Sequence, residues 1–271
     1  IHPMNSITSD SEAILRLVVF IAVFSAMAVL EMLLPRRQLT VSKSRRWLSN
    51  LGLSALNTIL LRVFIPIAGV AAAYWAEDRN WGLLKLVEFA DWIGILIFLL
   101  VFDLLIYFQH RLFHKVPFLW RLHRTHHTDL DYDVTTGSRF HPLSILISAF
   151  IKLALILILG PLAIAVVLAE VLLNATAMFN HSNIKIPVRL DKLLRNFVVT
   201  PDMHRIHHSV DAVEHNRNFG FNFPWWDRLF GTYLAEPKLG QEAMGIGING
   251  FEDDSSLSLQ HLLTQPFKDP S

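Results

Sequence analysis

IGILIFLLVFDLLIYFQHRLFH, residues 93–114, decides the architecture. Apart from Asp103 its first two thirds are apolar, the kind of run a helix needs to cross a bilayer, about 20 mostly apolar residues. Its end changes to His110-x-x-x-His114, two imidazoles four residues apart and so on one helical face. An apolar helix that finishes in paired histidines predicts a membrane bundle carrying metal at one end.

Working outward, two more histidine groups follow, His123/His126/His127 and His204/His207/His208, each an HxxHH box. Neutral imidazole is a common ligand for first-row transition ions. Burying so many rings without a cation would leave ring nitrogens unpaired, at a free-energy cost for each. His181 joins as a ninth candidate ligand, at i+11 from Glu170 and i+7 from Asn174. Nine histidines exceed the four that a structural zinc takes, so two metals are expected. The adjacent pairs His126-His127 and His207-His208 favour bare ions over a haem slot, and there is no HExxH peptidase motif. By ligand type alone the ions are iron, zinc or manganese.

Asp103, Tyr107, His110 and His114 form one stripe at i, i+4, i+7 and i+11. A carboxylate inside an apolar helix is costly and is usually paired or functional. Asp103 and Tyr107 are therefore expected to orient the imidazoles from behind, as outer partners of metal-bound histidines do; the plainer reading of Asp103 is a helix-pairing carboxylate. Glu170 and Asn174 are read in the same role, with a protonated Glu170 deep in the bundle as the alternative. His141 is placed at a substrate mouth or on a phosphate head group, and His215 at the surface or completing a second metal's shell. Trp225 and Trp226 are expected at the membrane interface.

The chain of 271 residues is 52% hydrophobic and 17% charged, against about 25% charged in soluble domains. Five stretches approach spanning length: Ile14 to Leu34, Leu51 to Trp75, Ile93 to Gln109 extended back towards Leu83, and two within Pro142 to Asn180, where Gly160-Pro161 signals a hairpin turn. The expected fold is all-α, a bundle of four to five membrane helices with a histidine-rich two-metal cap. Residues 1–271 read as one membrane domain, with a core at 96–233 and a cytoplasmic tail at 237–271. Arg36, Arg37, Lys43, Arg45 and Arg46 between the first two spans make that loop cytoplasmic by the positive-inside rule, and counting crossings brings every histidine cluster to the same side. Translation is expected to start at Met4, which leaves His2 without a role. A net charge of +1 gives no reason to expect nucleic acid, and the absence of cysteine excludes disulfides, thiolate ligands and cysteine-held iron-sulfur clusters.

The ordered motifs His110-Arg111-Leu112-Phe113-His114, Trp120 to His127, Asp202 to Ser209 and Trp226-Asp227-Arg228-Leu229-Phe230-Gly231-Thr232-Tyr233, with Asp103, His141-Pro142 and Asn180-His181, resemble the fatty acid hydroxylase/sterol desaturase superfamily over Leu96 to Tyr233. The resemblance implies a di-iron, O2-dependent membrane enzyme that hydroxylates or desaturates a lipid of sterol or fatty acyl type. It also implies electrons from a cytochrome b5-like or ferredoxin-type donor, and zinc in the site as purified is compatible with it. Relatives with a third HxxxH box would place a histidine four residues from His181, where Ala177 and Lys185 stand; Lys115 departs from the ether-lipid branch. The competing readings are a zinc-dependent membrane hydrolase and a non-catalytic metal-binding membrane protein.

Overall fold

The computed structural model describes residues 9–65, 69–253 and 257–269, so His2 and Met4 lie outside the described residues. These fold into twelve α-helices: α1 (Ser9–Leu33), α2 (Lys43–Phe64), α3 (Gly69–Asp78), α4 (Asp91–Lys115), α5 (Pro117–His127), α6 (Pro142–Leu159), α7 (Ala163–Asn180), α8 (Val188–Leu194), α9 (Pro201–His207), α10 (Trp225–Leu229), α11 (Gly240–Ala243) and α12 (Leu259–Thr264). Among the described residues there is no strand, as the apolar periodicity predicts. Glu12–Leu33, Lys43–Lys85, Asp91–Lys115, Pro142–Leu159 and Ala163–Asn180 are long and apolar enough to cross a membrane.

The second span departs from the sequence reading. It is two helices, α2 and α3, and α2 begins eight residues before Leu51. Hydropathy placed that start late because Arg46, Ser49, Asn50 and Asn57 of α2 are polar, yet all four are buried and find partners inside the protein. The backward extension of the third span also fails: Leu83–Lys85 is a separate 3-10 turn and α4 starts at Asp91. Trp81 Nε1 donates to Leu157 O at 2.8 Å and ties this turn to the end of α6. There Gly160 ends α6 at φ 59°, and a Cβ on it would lie 1.8 Å from Trp81 O. Only glycine fits that left-handed crossing. Glu77, at the end of α3, accepts the Ala163 N–H at 2.6 Å and so caps α7 from the same end of the bundle.

Small residues let these helices approach closely: Ala72, Ala73, Ala163, Ala165 and Ala169 are buried with Phe98, Phe102, Ile106, Ile156 and Val166. α1 instead turns Ile14, Leu17, Val18 and Ile21 outward. Such an apolar exterior suits lipid rather than water.

Proline sets the other end. Pro117, Pro142 and Pro201 stand at the first turn of α5, α6 and α9, where a missing N–H costs nothing and the fixed φ starts a helix. Two of these helices carry the HxxHH boxes. The segment from 237 onward, read as a tail, packs against this end: Arg124 donates to Gln265 O, Arg121 to Pro266 O and Ser49 to Leu257 O, and Met244, Phe251 and Leu262 are buried.

Candidate metal centre

All nine candidate histidines converge, in two groups. His110, His114, His123, His127 and His207 form one, and His126, His181, His204 and His208 the other; within each, the ligand nitrogens lie within 4.8 Å of one another. All are buried except His114, which is partly exposed. The helices explain the division. In the first HxxHH box the i, i+4 pair His123/His127 points to the group of five while His126 turns to the group of four; in the second, His204/His208 point to the group of four and His207 to the group of five. The two boxes exchange their odd histidine. The groups therefore touch, with the His127 and His208 rings stacked at 4.5 Å and those of His204 and His207 at 5.1 Å.

The ring nitrogens behave as ligands. His110 Nδ1 lies 2.9 Å from Phe219 O, His181 Nδ1 2.7 Å from Ala177 O and His207 Nδ1 2.8 Å from Arg217 O, so each Nδ1–H donates to a carbonyl and leaves Nε2 as a lone pair. The lone pair of His181 Nε2 is then approached by both His126 Nε2 and His204 Nε2 at 3.1 Å. His127 Nε2 meets His114 Nε2 at 3.1 Å and His123 Nε2 at 3.3 Å. One neutral lone pair does not satisfy two such neighbours; a shared cation does. Nitrogens held about 2.1 Å from an ion sit about 3.0–3.4 Å apart, the spacing found here. Nε2 of His110 and His207 and both nitrogens of His208 are buried without any partner, and an ion would take up one such nitrogen from each ring. Burial, reinforced by neighbouring imidazoles, pushes His123, His126, His127, His204, His207 and His208 well below the ordinary histidine range, and His181 down to about 3. Neutral rings are the ligating form.

Asp103 and Tyr107 contact no histidine, contrary to the expected role. The Asp103 carboxylate accepts the N–H groups of Asn222 (3.1 Å) and Phe223 (3.2 Å) and Trp226 Nε1 (2.8 Å), and Tyr107 shares a 2.8 Å hydrogen bond with Thr232 Oγ1. Asp227 in turn accepts from Phe219 N, Gly220 N and Thr232 Oγ1 at 2.7–2.8 Å. Together they clasp the segment whose Phe219 carbonyl orients His110. Backbone carbonyls take the outer positions of His110, His181 and His207, and the two carboxylates hold the backbone of residues 219–223 instead of the rings. Trp226 is accordingly a half-buried donor to Asp103, while its neighbour Trp225 is exposed. Asp103→Ala is expected to lower metal affinity about 10–100-fold through His110, measured by competition with a chelator.

Glu170 is likewise neither an imidazole partner nor a solitary acid, for Arg16 of α1 forms an ion pair with it. Asn174 donates to the Glu170 carbonyl. His141 caps α6, accepting from Leu143 N at 3.2 Å, with Nε2 3.3 Å from Leu263 O; it belongs to neither metal group. His215 stacks on Trp120 at 5.5 Å and stands 6.1 Å from His114, outside both groups. Ala177, where a third box would have a histidine, supplies the carbonyl for His181 instead. Gly137 makes room there, since a Cβ on it would come within 2.9 Å of Ala177 O.

A buried ionic network beneath the cap was not anticipated. Arg46 is fully buried, bonds Asp129 through Nε (2.7 Å) and Nη2 (2.9 Å), and reaches Asp133 through Nη1 (2.7 Å). Arg139 donates to Thr125 O and Thr128 O, fixing the turn that carries His126 and His127. Burial alone would raise the Asp129 carboxyl, but the Arg46 and Arg139 guanidiniums outweigh it and hold it well below the usual carboxylate range. Glu31 of α1 accepts Val134 N and Asn183 N at 2.7 and 2.8 Å, joining the loops that follow His127 and His181. The signal present in the sequence was the alternation Asp129-x-Asp131-x-Asp133 directly after the first box. Arg36, counted among the loop charges, pairs with Asp202 and Glu242.

Between the helices a cavity of about 390 Å³ reaches the centre. His110, His123 and His126 line it, so it meets both groups, and Phe20, Phe24, Leu61, Ile106, Leu173 and Met178 make its walls largely apolar.

Residues 95–232 match the family described as Fatty acid hydroxylase. Alkylglycerol monooxygenase of Homo sapiens is 31% identical over 174 residues, covering 64% of this chain and 38% of that protein. The ornithine lipid hydroxylase OlsE of Rhizobium tropici is 32% identical over 163 residues, 60% of this chain and 46% of its own. Cholesterol 25-hydroxylase of Rattus norvegicus is 24% identical over 188 residues, 68% and 62% respectively. The chain thus matches less than two thirds of the length of each of these relatives, and the alkylglycerol monooxygenase match stands despite Lys115. No solved structure is a significant match. With half of its length and all nine converging histidines inside the matched region, the chain belongs to the fatty acid hydroxylase family.

Proposed function

We propose that this integral membrane protein hydroxylates a lipid C–H bond with dioxygen, using two iron ions held by the nine histidines. The carrying observation is the apolar cavity that opens onto His110, His123 and His126. Hydrocarbon enters such a space readily and water does not. The group of five histidines exceeds the four ligands a zinc site takes, which favours an ion that accepts five or six. The names of the relatives, each a monooxygenase or hydroxylase and several naming a lipid, agree with the reading.

The iron pair, when bound, supplies the redox chemistry that an unactivated C–H bond requires. Overall, one lipid C–H and one O2 with two electrons and two protons give one C–OH and one water. The chain's own residues do the rest. Its neutral imidazoles would hold the ions, the Phe219, Ala177 and Arg217 carbonyls keep Nε2 of His110, His181 and His207 free for metal, and Phe113, Phe140 and Phe221 at the cavity wall shield the centre from water. Electrons come from an external one-electron carrier, cytochrome b5-like or ferredoxin-type. Arg37, Lys43 and Arg45 at the cap support a cytoplasmic position for the metals.

The test is purified protein with its metals counted, supplied with membrane lipids, a reductase system and 18O-labelled O2. The expected result is two irons per chain and a lipid product carrying one labelled oxygen. Zinc in both groups with turnover undiminished without O2 would favour a hydrolase and overturn the reading; stable metal with no product under any reductant would make the chain a binding protein.

A further inference from the structure

The cavity has a second, charged end. Counting down α6 from Ser144, Ser148 and Lys152 line the same space, Lys152 eight residues and so about 12 Å further along. On α7 the same descent runs from Ala177 through Asn174 to Glu170, about 10 Å. Arg16 of α1 closes the set. Ionisable groups at this depth in a membrane bundle are costly and are retained for pairing or for a ligand.

Pairing accounts for only part of this end. Arg16 holds both Glu12 and Glu170, its Nη atoms taken by their carboxylates. Its Nε is buried with no partner. Lys152 makes no ion pair and no side-chain hydrogen bond among the described residues. The other polar groups there are already matched, Gln109 with Ser148 and Asn174 with the Glu170 carbonyl. What is left over at this end, within reach of an occupant, is the Lys152 ammonium, a donor without an acceptor. An occupant that completes it brings oxygen acceptors, and Lys152 without a carboxylate of its own favours a negative charge on them.

Resting on the proposed lipid hydroxylation, we infer that Lys152, at the Arg16 end of the cavity, binds the oxyanion head of an amphiphilic substrate, a carboxylate or a phosphate, and thereby holds a carbon of its chain at the metal centre, about 10 Å away by the descent from Ala177 to Glu170. The apolar walls between the two ends accept the chain. Lys152 is a specificity residue and touches no metal ligand.

Equilibrium binding tests this without turnover. Full-length protein in detergent micelles is titrated with hexadecanoic acid, a 16-carbon lysophosphatidic acid and hexadecanol, for the wild type, Lys152→Met and Lys152→Arg, with metal content as the check on folding. The expected result is at least tenfold preference of the wild type for one or both oxyanions over the alcohol. Lys152→Met loses that preference, Lys152→Arg retains it, and both keep the wild-type metal content. Whichever oxyanion binds tighter identifies the head. Equal binding of acid, phosphate and alcohol by the wild type, or an equal loss for all three in Lys152→Met at full metal content, overturns the assignment; were Lys152→Met to lose its metals, the wild-type and Lys152→Arg preferences decide. Because binding is read without O2 or reductant, a failure of the hydroxylase reading appears separately, as missing product.

Discussion

Replacing His126 by alanine is expected to remove one metal of two and leave the other, and replacing His207 is expected to do the same for the opposite ion. The reason is the exchange between the boxes. His126 is one of four ligands in its group, and its neighbour His127 serves the other; His207 is one of five, and its neighbour His208 serves the other. Deleting one ring from four leaves three and an exposed position, so the weaker retention belongs to His126→Ala. Hydroxylation should fall to background in both variants, since C–H oxidation in this reading needs the pair. Metal counted on the purified variants, beside product by mass spectrometry, gives the answer. His215→Ala and His141→Ala serve as controls, because neither ring belongs to a group, and both should keep two metals. If His126→Ala and His207→Ala each lost both ions, or neither, the division into five and four would be wrong.

Arg46→Met should cost about 3–5 kcal/mol of stability, the scale seen when one partner of a buried pair is removed. Asp129 and Asp133 would be left buried with their main cation gone, while Asn50, Thr135 and Thr136 could not replace it. Arg46→Lys keeps the charge but not the two-pronged contact with Asp129, and should lose less. Thermal unfolding in detergent reports both. The loss should also loosen the turn held by Arg139 at Thr125 and Thr128, so metal retention should fall along with stability. An Arg46→Met protein as stable as the wild type would show that the network is carried by Arg139 alone.

These two experiments fall on opposite sides of what could be read in advance. The convergence of the nine histidines was legible because helical period brings residues at i, i+3, i+4 and i+7 to neighbouring positions, whatever surrounds the helix. The five apolar runs, though not all their bounds, and the turn at Gly160 were legible for a similar reason, since a bilayer demands long apolar runs and a turn demands a residue that tolerates positive φ. Arg46 reads in the sequence only as one of the loop cations, because a cation next to an apolar run looks the same whether it faces lipid head groups or two aspartates 83 and 87 residues away.

Local period and hydropathy were enough to determine that this protein is a helical membrane bundle with nine imidazoles facing one end. Tertiary structure alone decided which imidazole joins which group, that Asp103, Tyr107 and Asp227 support a backbone segment and not the rings, and that Glu170 answers to Arg16. Each of those outcomes depends on where one helix end meets a segment distant in the chain. Such meetings are set by packing and by the need of every buried polar atom for a partner, neither of which is written in the spacing of residues along a single helix.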